Sequence, residues 1–249
     1  MCANAKESIL PRYTVKLNKR EAVAEGTTAF YFDKPADFTF KAGQFIEMTL
    51  LDPPETDAEG NSRAFTIASG PAESHLMIAT RMRDSAFKRV LGKLPIGSDV
   101  QIEGPFGNLV LHNNAARPAV LLAGGIGITP FRSIVFRAAK EHLPHRLFLF
   151  YSNRRPEDAA FLGELQALRA GNANYTLVDT MTGLKPGSHS WKGESSRVSK
   201  EMLTKYVGDL NGPIYYLAGP PGMVAAMQTL LNSAGVNDDD IRPEEFAGY

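Results

Sequence analysis

The spacing of apolar residues changes once along the chain, near residues 113–118 (NNAARP), and one layered fold cannot accommodate both rhythms. From about residue 12 to 112 the chain reads as short β-type runs separated by turn signals. Residues 44–50 (QFIEMTL), 63–68 (RAFTIA), 75–80 (HLMIAT) and 100–103 (VQIE) are such runs. Residues 52–61 (DPPETDAEGN) are rich in Pro, Gly and acids and read as an exposed loop. Residues 85–94 (SAFKRVLGKL) are the one helical candidate there. Short strands with one helix predict a small β-barrel with a helical plug. Beyond residue 118 strand and helix alternate. Strands are expected at residues 119–123, 147–151, 175–178 and 214–218, and helices at 131–141, 156–169, 201–207 and 223–234. That alternation predicts a doubly wound parallel α/β sheet. Two domains follow, over residues 1–114 and 115–249.

Composition narrows the function classes. Lys+Arg and Asp+Glu both number 27, so the net charge is zero. A general nucleic-acid or polybasic membrane binder needs a strong positive field. The single cysteine, Cys2, cannot close a disulfide within the chain, build a Cys-rich zinc site or hold an iron–sulfur cluster. Redox chemistry would therefore come from a bound organic cofactor. No apolar run approaches the roughly 20 residues that span a bilayer, and residues 1–13 show no signal peptide. These readings predict a cytoplasmic globular protein, as monomer or homodimer, with no nucleic-acid partner. The five histidines lack metal-type spacing, so no metal is expected. Trp191 reads as a packing anchor and Asp238-Asp239-Asp240 as a solvated charge run.

Five short motifs carry chemical potential. Gly124-Gly125-Ile126-Gly127-Ile128-Thr129-Pro130 follows an apolar strand and opens a helix. Glycines let a pyrophosphate approach the backbone, and a helix N-terminus offers free N–H groups. A tight turn without a ligand reads equally well, and Pro130 stands where the dinucleotide fingerprint has its third Gly. In Arg63-Ala64-Phe65-Thr66-Ile67-Ala68-Ser69, Arg63 and Phe65 share one strand face. An Arg can fork onto phosphate and an aromatic can pack on a ring, although an ordinary strand explains the motif taken alone. Gly104-Pro105-Phe106-Gly107 closes the strand-rich half. Leu217-Ala218-Gly219-Pro220-Pro221-Gly222-Met223 ends a strand before a helix, on the sheet edge where such folds bind ligands. The last is the terminal Glu244-Glu245-Phe246-Ala247-Gly248-Tyr249.

In this order the five motifs resemble the ferredoxin–NADP reductase superfamily, from about Tyr13 to Tyr249. The resemblance implies an N-terminal antiparallel flavin-binding β-barrel and a C-terminal nicotinamide-dinucleotide-binding α/β domain. It implies that Arg63 contacts the flavin phosphate, that Phe65 stacks on the isoalloxazine and that Thr66 bonds near its N5, with Ile67, Ala68 and Ser69 continuing the motif. Thr80, Arg81, Ser85 and Ala86 fall where relatives hold the rest of the flavin, although Arg83-Asp84-Ser85-Ala86 replaces the usual Gly-x-x-Ser. Gly125, Gly127, Thr129 and Pro130 match the dinucleotide loop, and Gly219, Pro220 and Met223 the later nicotinamide-side motif. Ala218 stands where many members carry Cys. Phe246 resembles the terminal aromatic beside the flavin, with Glu245 near the hydride path.

The resemblance implies hydride transfer from NAD(P)H to FAD, preferred over FMN, and then to a separate acceptor: a ferredoxin, flavodoxin, haem or oxygenase partner, or free flavin. Arg154 and Arg155 follow the second strand of the α/β half, where no acid is placed for a ribose 2′-OH. They are candidates for a 2′-phosphate or plain solvated charges. A non-catalytic flavin- or nucleotide-binding subunit is the alternative, and a flavin-free dinucleotide enzyme leaves the first half unexplained.

Overall fold

The computed structural model describes residues 11–184 and 191–246. Cys2 and the terminal residues 247–249 lie outside them. The first half is a six-stranded antiparallel sheet of β1 (Arg12–Ala24), β2 (Thr27–Asp33), β3 (Phe45–Leu50), β4 (Ser62–Thr66), β5 (His75–Arg81) and β6 (Asp99–Phe106). Its order is β4-β3-β6-β1-β2-β5. The sheet curls until its ends meet, where the Ala68 N–H donates to Met77 O at 2.7 Å. Alternate residues point inward, so Val15, Leu17, Phe30, Phe32, Ile46 and Met48 fill the interior. Helix α1 (Ala86–Lys93) plugs it with Phe87 and Leu91. Ser85 caps that helix by accepting from the Lys88 N–H. Strand β1 carries no apolar run. Its buried Val15 and Leu17 alternate with exposed polar residues, so its signal was diluted.

The second half is a parallel sheet of β7 (Ala119–Gly124), β8 (Leu147–Asn153), β9 (Tyr175–Met181), β10 (Ile214–Gly219) and β11 (Ile241–Glu245), in the order β11-β10-β7-β8-β9. Helices α2 (Ile128–Lys140) and α3 (Leu162–Ala170) contribute Phe131, Ile134 and Leu165 to the core on one face. Helices α4 (Lys200–Val207) and α5 (Pro221–Ser233) contribute Leu203, Val224 and Leu231 on the other. Two expectations change. The helix over 156–169 is broken: a 3-10 turn, Pro156–Asp158, precedes a left-handed Phe161 (φ 62°) that starts α3. Phe161 turns inward, with Arg132 standing 5.1 Å over its ring. Strand β11 was not expected because its sequence, IRPEE, is polar and contains Pro. An edge strand tolerates both.

The two halves share one core. Ala29, Met77 and Ala79 of the barrel join Ile126, Ile134 and Leu121 in a single apolar cluster. Polar contacts fix the join. Arg132, buried on α2, donates to Ala68 O at 2.9 Å and pairs with Glu73 at 3.1 Å and Glu164 at 2.7 Å. Its guanidinium stacks 4.1 Å from the centre of the Phe136 ring. Ser133 donates to Ser69 O at 2.7 Å. At the far side the Tyr216 hydroxyl accepts from the His112 N–H at 2.9 Å and meets Arg242 at 3.1 Å. Asp240 is not simply solvated, because it pairs with Arg117 at 2.7 Å. Arg132→Met keeps the side chain's bulk but leaves Ala68 O without its donor. Stability should fall by about 3 kcal/mol, read as a lower denaturant midpoint with an unchanged slope.

Candidate active site

In a parallel sheet of this order the connections from β7 and β10 leave in opposite directions, opening a crevice beyond their carboxyl ends. The turn after β7 reaches that point through glycines that have physical reasons to be there. Gly125 has φ +54°, and a Cβ on Gly127 would lie 2.2 Å from Ala218 O at the end of β10. Nothing larger than hydrogen fits between these turns. Met223 and Pro220 pack against Gly124 on the same seam. Helix α2 starts at Ile128 without a side-chain cap, but the Ile128 N–H already donates to the carbonyls of Gly125 and Ile126, so the 3-10 turn Gly125–Gly127 is what opens the helix toward the crevice.

The barrel supplies the opposite wall of a cavity of about 580 Å³. Strand β4 brings Arg63, Phe65 and Thr66, strand β5 brings Thr80, and the start of α1 brings Ser85 and Lys88. From the other half come Ile126, Thr129, Glu244, Glu245 and Phe246. The cavity therefore spans the junction between the two halves. Its lining mixes charges, with Arg63, Arg83 and Lys88 beside Glu59 and Asp84. Burial pushes the Lys88 amine below its ordinary value, and the charges of Arg83 and Arg63 push it further down. Arg63 already pairs with Asp57 and Glu59, so among the described residues Lys88 and Arg83 are the cations left for an incoming anion. The lining also holds aromatic rings and the acid Glu244. Burial raises the Glu244 carboxyl to about 7, so it holds a proton near neutrality. The Thr66 side chain is nearly buried, lines the cavity and makes no side-chain hydrogen bond among the described residues. These features fit a flavin dinucleotide, which needs an anion pocket, a flat apolar slot and an open hydroxyl.

Several expected contacts fall elsewhere. Ile67, Ala68 and Ser69 are wholly buried and do not line the cavity. Their polar atoms dock the two halves, through Ala68 O to Arg132 and Ser69 O to Ser133, while Ser69 Oγ accepts from the Met77 N–H at 3.0 Å. Arg81 also leaves the cavity. It crosses the junction, so its Nη2 would be 3.3 Å from a Cβ on Gly125, on the dinucleotide side. Ala86 is buried in the first turn of α1. Gly125, Gly127, Gly219, Pro220 and Met223 form the seam of the turns, Pro130 is buried in the first turn of α2, and none of them lines the cavity. Arg155 is committed to Asp158 and Glu25, each at 2.8 Å, so it is a pin between the halves. Arg154 is exposed and makes no ion pair among the described residues. Phe65 lines the cavity and also packs on Phe87 with ring centres 5.7 Å apart. Phe246 reaches the cavity because its N–H donates to Gly219 O at 3.0 Å. Sequence reasoning missed Ile126, Arg83, Lys88 and Glu244. The basic pair Lys88 and Arg89 on a short helix was visible, but only the fold shows which of the two faces the cavity.

Among the described residues no group of three His, Cys, Asp or Glu could hold a metal ion. No described helix is long and apolar enough to cross a membrane. Residues 14–111 match the oxidoreductase FAD-binding domain family, and residues 121–229 the oxidoreductase NAD-binding domain family. The chain is 27% identical over 223 residues to the glycine betaine monooxygenase reductase subunit of Chromohalobacter salexigens, covering 88% of this chain and 60% of that relative's length. The FAD/NAD-binding domain of nitric oxide dioxygenase from Vibrio cholerae superposes with a TM-score of 0.79 at 18% identity, covering 94% of this chain and 98% of that one. A ferredoxin NADP+ reductase from Neisseria gonorrhoeae, with bound FAD and NADP, gives a TM-score of 0.76 at 20% identity, covering 94% and 97%. At those identities the two structures speak for the fold. The chain thus matches an oxidoreductase FAD-binding domain followed by an oxidoreductase NAD-binding domain, on the two-domain fold that these solved structures share.

Proposed function

We propose that this chain is a reductase that takes a hydride from NAD(P)H onto FAD and hands the electrons to a separate acceptor, either a protein or a small molecule. The observation that carries it is the cavity at the junction, lined by Arg63, Arg83 and Lys88 from the barrel and by Glu244 and Phe246 from the other half, with the glycine turn of the parallel sheet beside it. The relative named as a monooxygenase reductase subunit supports an oxygenase-type protein acceptor. Residues 1–114 would form the flavin half and 115–249 the nicotinamide half.

Bound FAD would supply the chemistry that couples hydride transfer to electron release. The chain's own residues bind, orient and exclude water. Arg63, Arg83 and Lys88 would hold the diphosphate, with Ser85 at the start of α1 beside them. Phe65 and Phe246 would bracket the ring, and Thr66 would offer its hydroxyl to the reactive edge, with Thr80 close by. The 3-10 turn Gly125–Gly127 that leads into α2, with Thr129, would take the nicotinamide pyrophosphate, with Arg81 reaching over Gly125. Gly219, Pro220 and Met223 would shape the nicotinamide side. Glu244, more than its neighbour Glu245, is the acid placed to hold or move a proton at the cavity wall. Arg154 is the cation left for a 2′-phosphate.

Three outcomes are expected. Chain refolded with FAD should retain flavin absorbance after gel filtration and bleach on anaerobic addition of NADH or NADPH; colourless protein, or flavin that stays oxidised, removes the proposal. Arg154→Ala should raise KM for NADPH about tenfold and leave KM for NADH unchanged, and an unaltered NADPH preference removes Arg154 from the site. The third concerns pH. The folded chain holds the Glu244 proton between the ordinary 4.5 and about 7, so this group's contribution to stability is present at low pH and lost as pH rises through 7. Glu244→Gln should flatten that loss in unfolding curves measured between pH 5 and 8. A slope identical to that of the unsubstituted chain would show that Glu244 does not titrate there.

A further inference from the structure

The acidic loop between β3 and β4 does not simply hang in solvent. It closes on basic residues beside the cavity at two points. Glu55 pairs with Arg89 of α1 at 2.7 Å, and Arg89 pairs in turn with Asp84. Asp57 Oδ1 accepts from Arg63 Nη2 at 2.7 Å and from the Glu59 N–H at 3.0 Å. Glu59 takes Arg63 Nε at 3.1 Å. Arg63 Nη1 donates to the carbonyls of Glu59, Gly60 and Ser62, at 3.0, 3.1 and 2.7 Å. All three guanidinium nitrogens are thus engaged by residues of this chain, two of them by carboxylates. Asp57 is held below the usual carboxylate range, chiefly by Arg63, with help from the backbone N–H groups of Glu59 and of Ala86, the first residue of α1. Its carboxylate therefore shares Arg63 with Glu59 and lies near the start of α1, next to donors of the kind a phosphate also uses.

We propose that Asp57 is a built-in competitor for the phosphate end of the flavin site, and that the loop carrying it makes the flavin readily exchangeable. This rests on the flavin reading of the cavity. A diphosphate and the Asp57 carboxylate are like charges seeking the same donors, so one displaces the other. Lys88 and Arg83 make no ion pair among the described residues and remain to attract the incoming anion. Flavin binding then opens the Asp57–Arg63 contact, while Glu55–Arg89 keeps the loop close enough to reseal it.

The test is a titration of FAD, riboflavin and inorganic pyrophosphate into the unsubstituted chain, Asp57→Asn and Glu55→Gln. Asp57→Asn should tighten FAD and pyrophosphate about tenfold each, the worth of one charged hydrogen bond, and leave riboflavin unchanged. Glu55→Gln should tighten both anions by a smaller factor and carries the test if Asp57→Asn does not fold. FAD and pyrophosphate binding that is weakened or unchanged in Asp57→Asn would overturn the proposal, because Asp57 would then be a support for Arg63. Riboflavin tightening in step with FAD would overturn it too, since the effect would lie in loop packing. If no chain binds either flavin but pyrophosphate tightens as expected, the competition stands and the flavin reading fails.

Discussion

The buried guanidinium of Arg132 is the contact on which the geometry of the site depends. It reaches out of the parallel half, takes a backbone carbonyl of the barrel and is flanked by carboxylates from both halves. A buried cation is costly without partners, so this one holds its surroundings to a narrow arrangement. Ala68 is two residues from Thr66, and Arg132 is three from Thr129. The clamp therefore fixes the separation of the two cavity walls almost directly. Tyr216, His112 and Arg242 do the same at the other side of the junction. In the proposed reaction, hydride would pass between two stacked rings, and the join between the walls would set their gap.

Net charge hides the electrostatics that matter. The chain balances 27 positive against 27 negative residues, yet Arg63, Arg83 and Lys88 line a single cavity while Glu244 sits in the same cavity as a partly neutralised acid. A local basic cluster inside an evenly charged molecule favours one anion in the cavity without drawing polyanions to the surface.

The sequence was legible where local backbone demands and chemistry coincide. The glycine turn after β7 needs its residues whatever it binds, so it could be read directly. Period two puts Arg63 and Phe65 on one strand face, and both line the cavity, but Ala64 and Thr66 line it as well, which period two alone does not give. Reading failed where the third dimension decides. Ile67, Ala68 and Ser69 continue the motif in sequence but turn into the junction. Arg81 belongs to the barrel and serves the other half. Arg155 looks identical to Arg154 until Glu25, far away in sequence, claims it. Glu244 and Glu245 are neighbours of one type, and only burial separates them. Strand β11 shows no apolar pattern because it has one neighbour and one covered side.

That last strand has a further consequence. Phe246 directs its N–H inward to Gly219, so by alternation Pro243 turns its nitrogen to the open edge, where it offers no donor. At the opposite edge, β9 is already engaged by Glu194, whose N–H and carbonyl bond Asp179 and Met181. Both borders of the parallel sheet are thereby blunted against strand-to-strand growth. In the proposed reductase role, a crevice open to electron acceptors would sit on a sheet whose borders resist pairing with the same sheet of another copy.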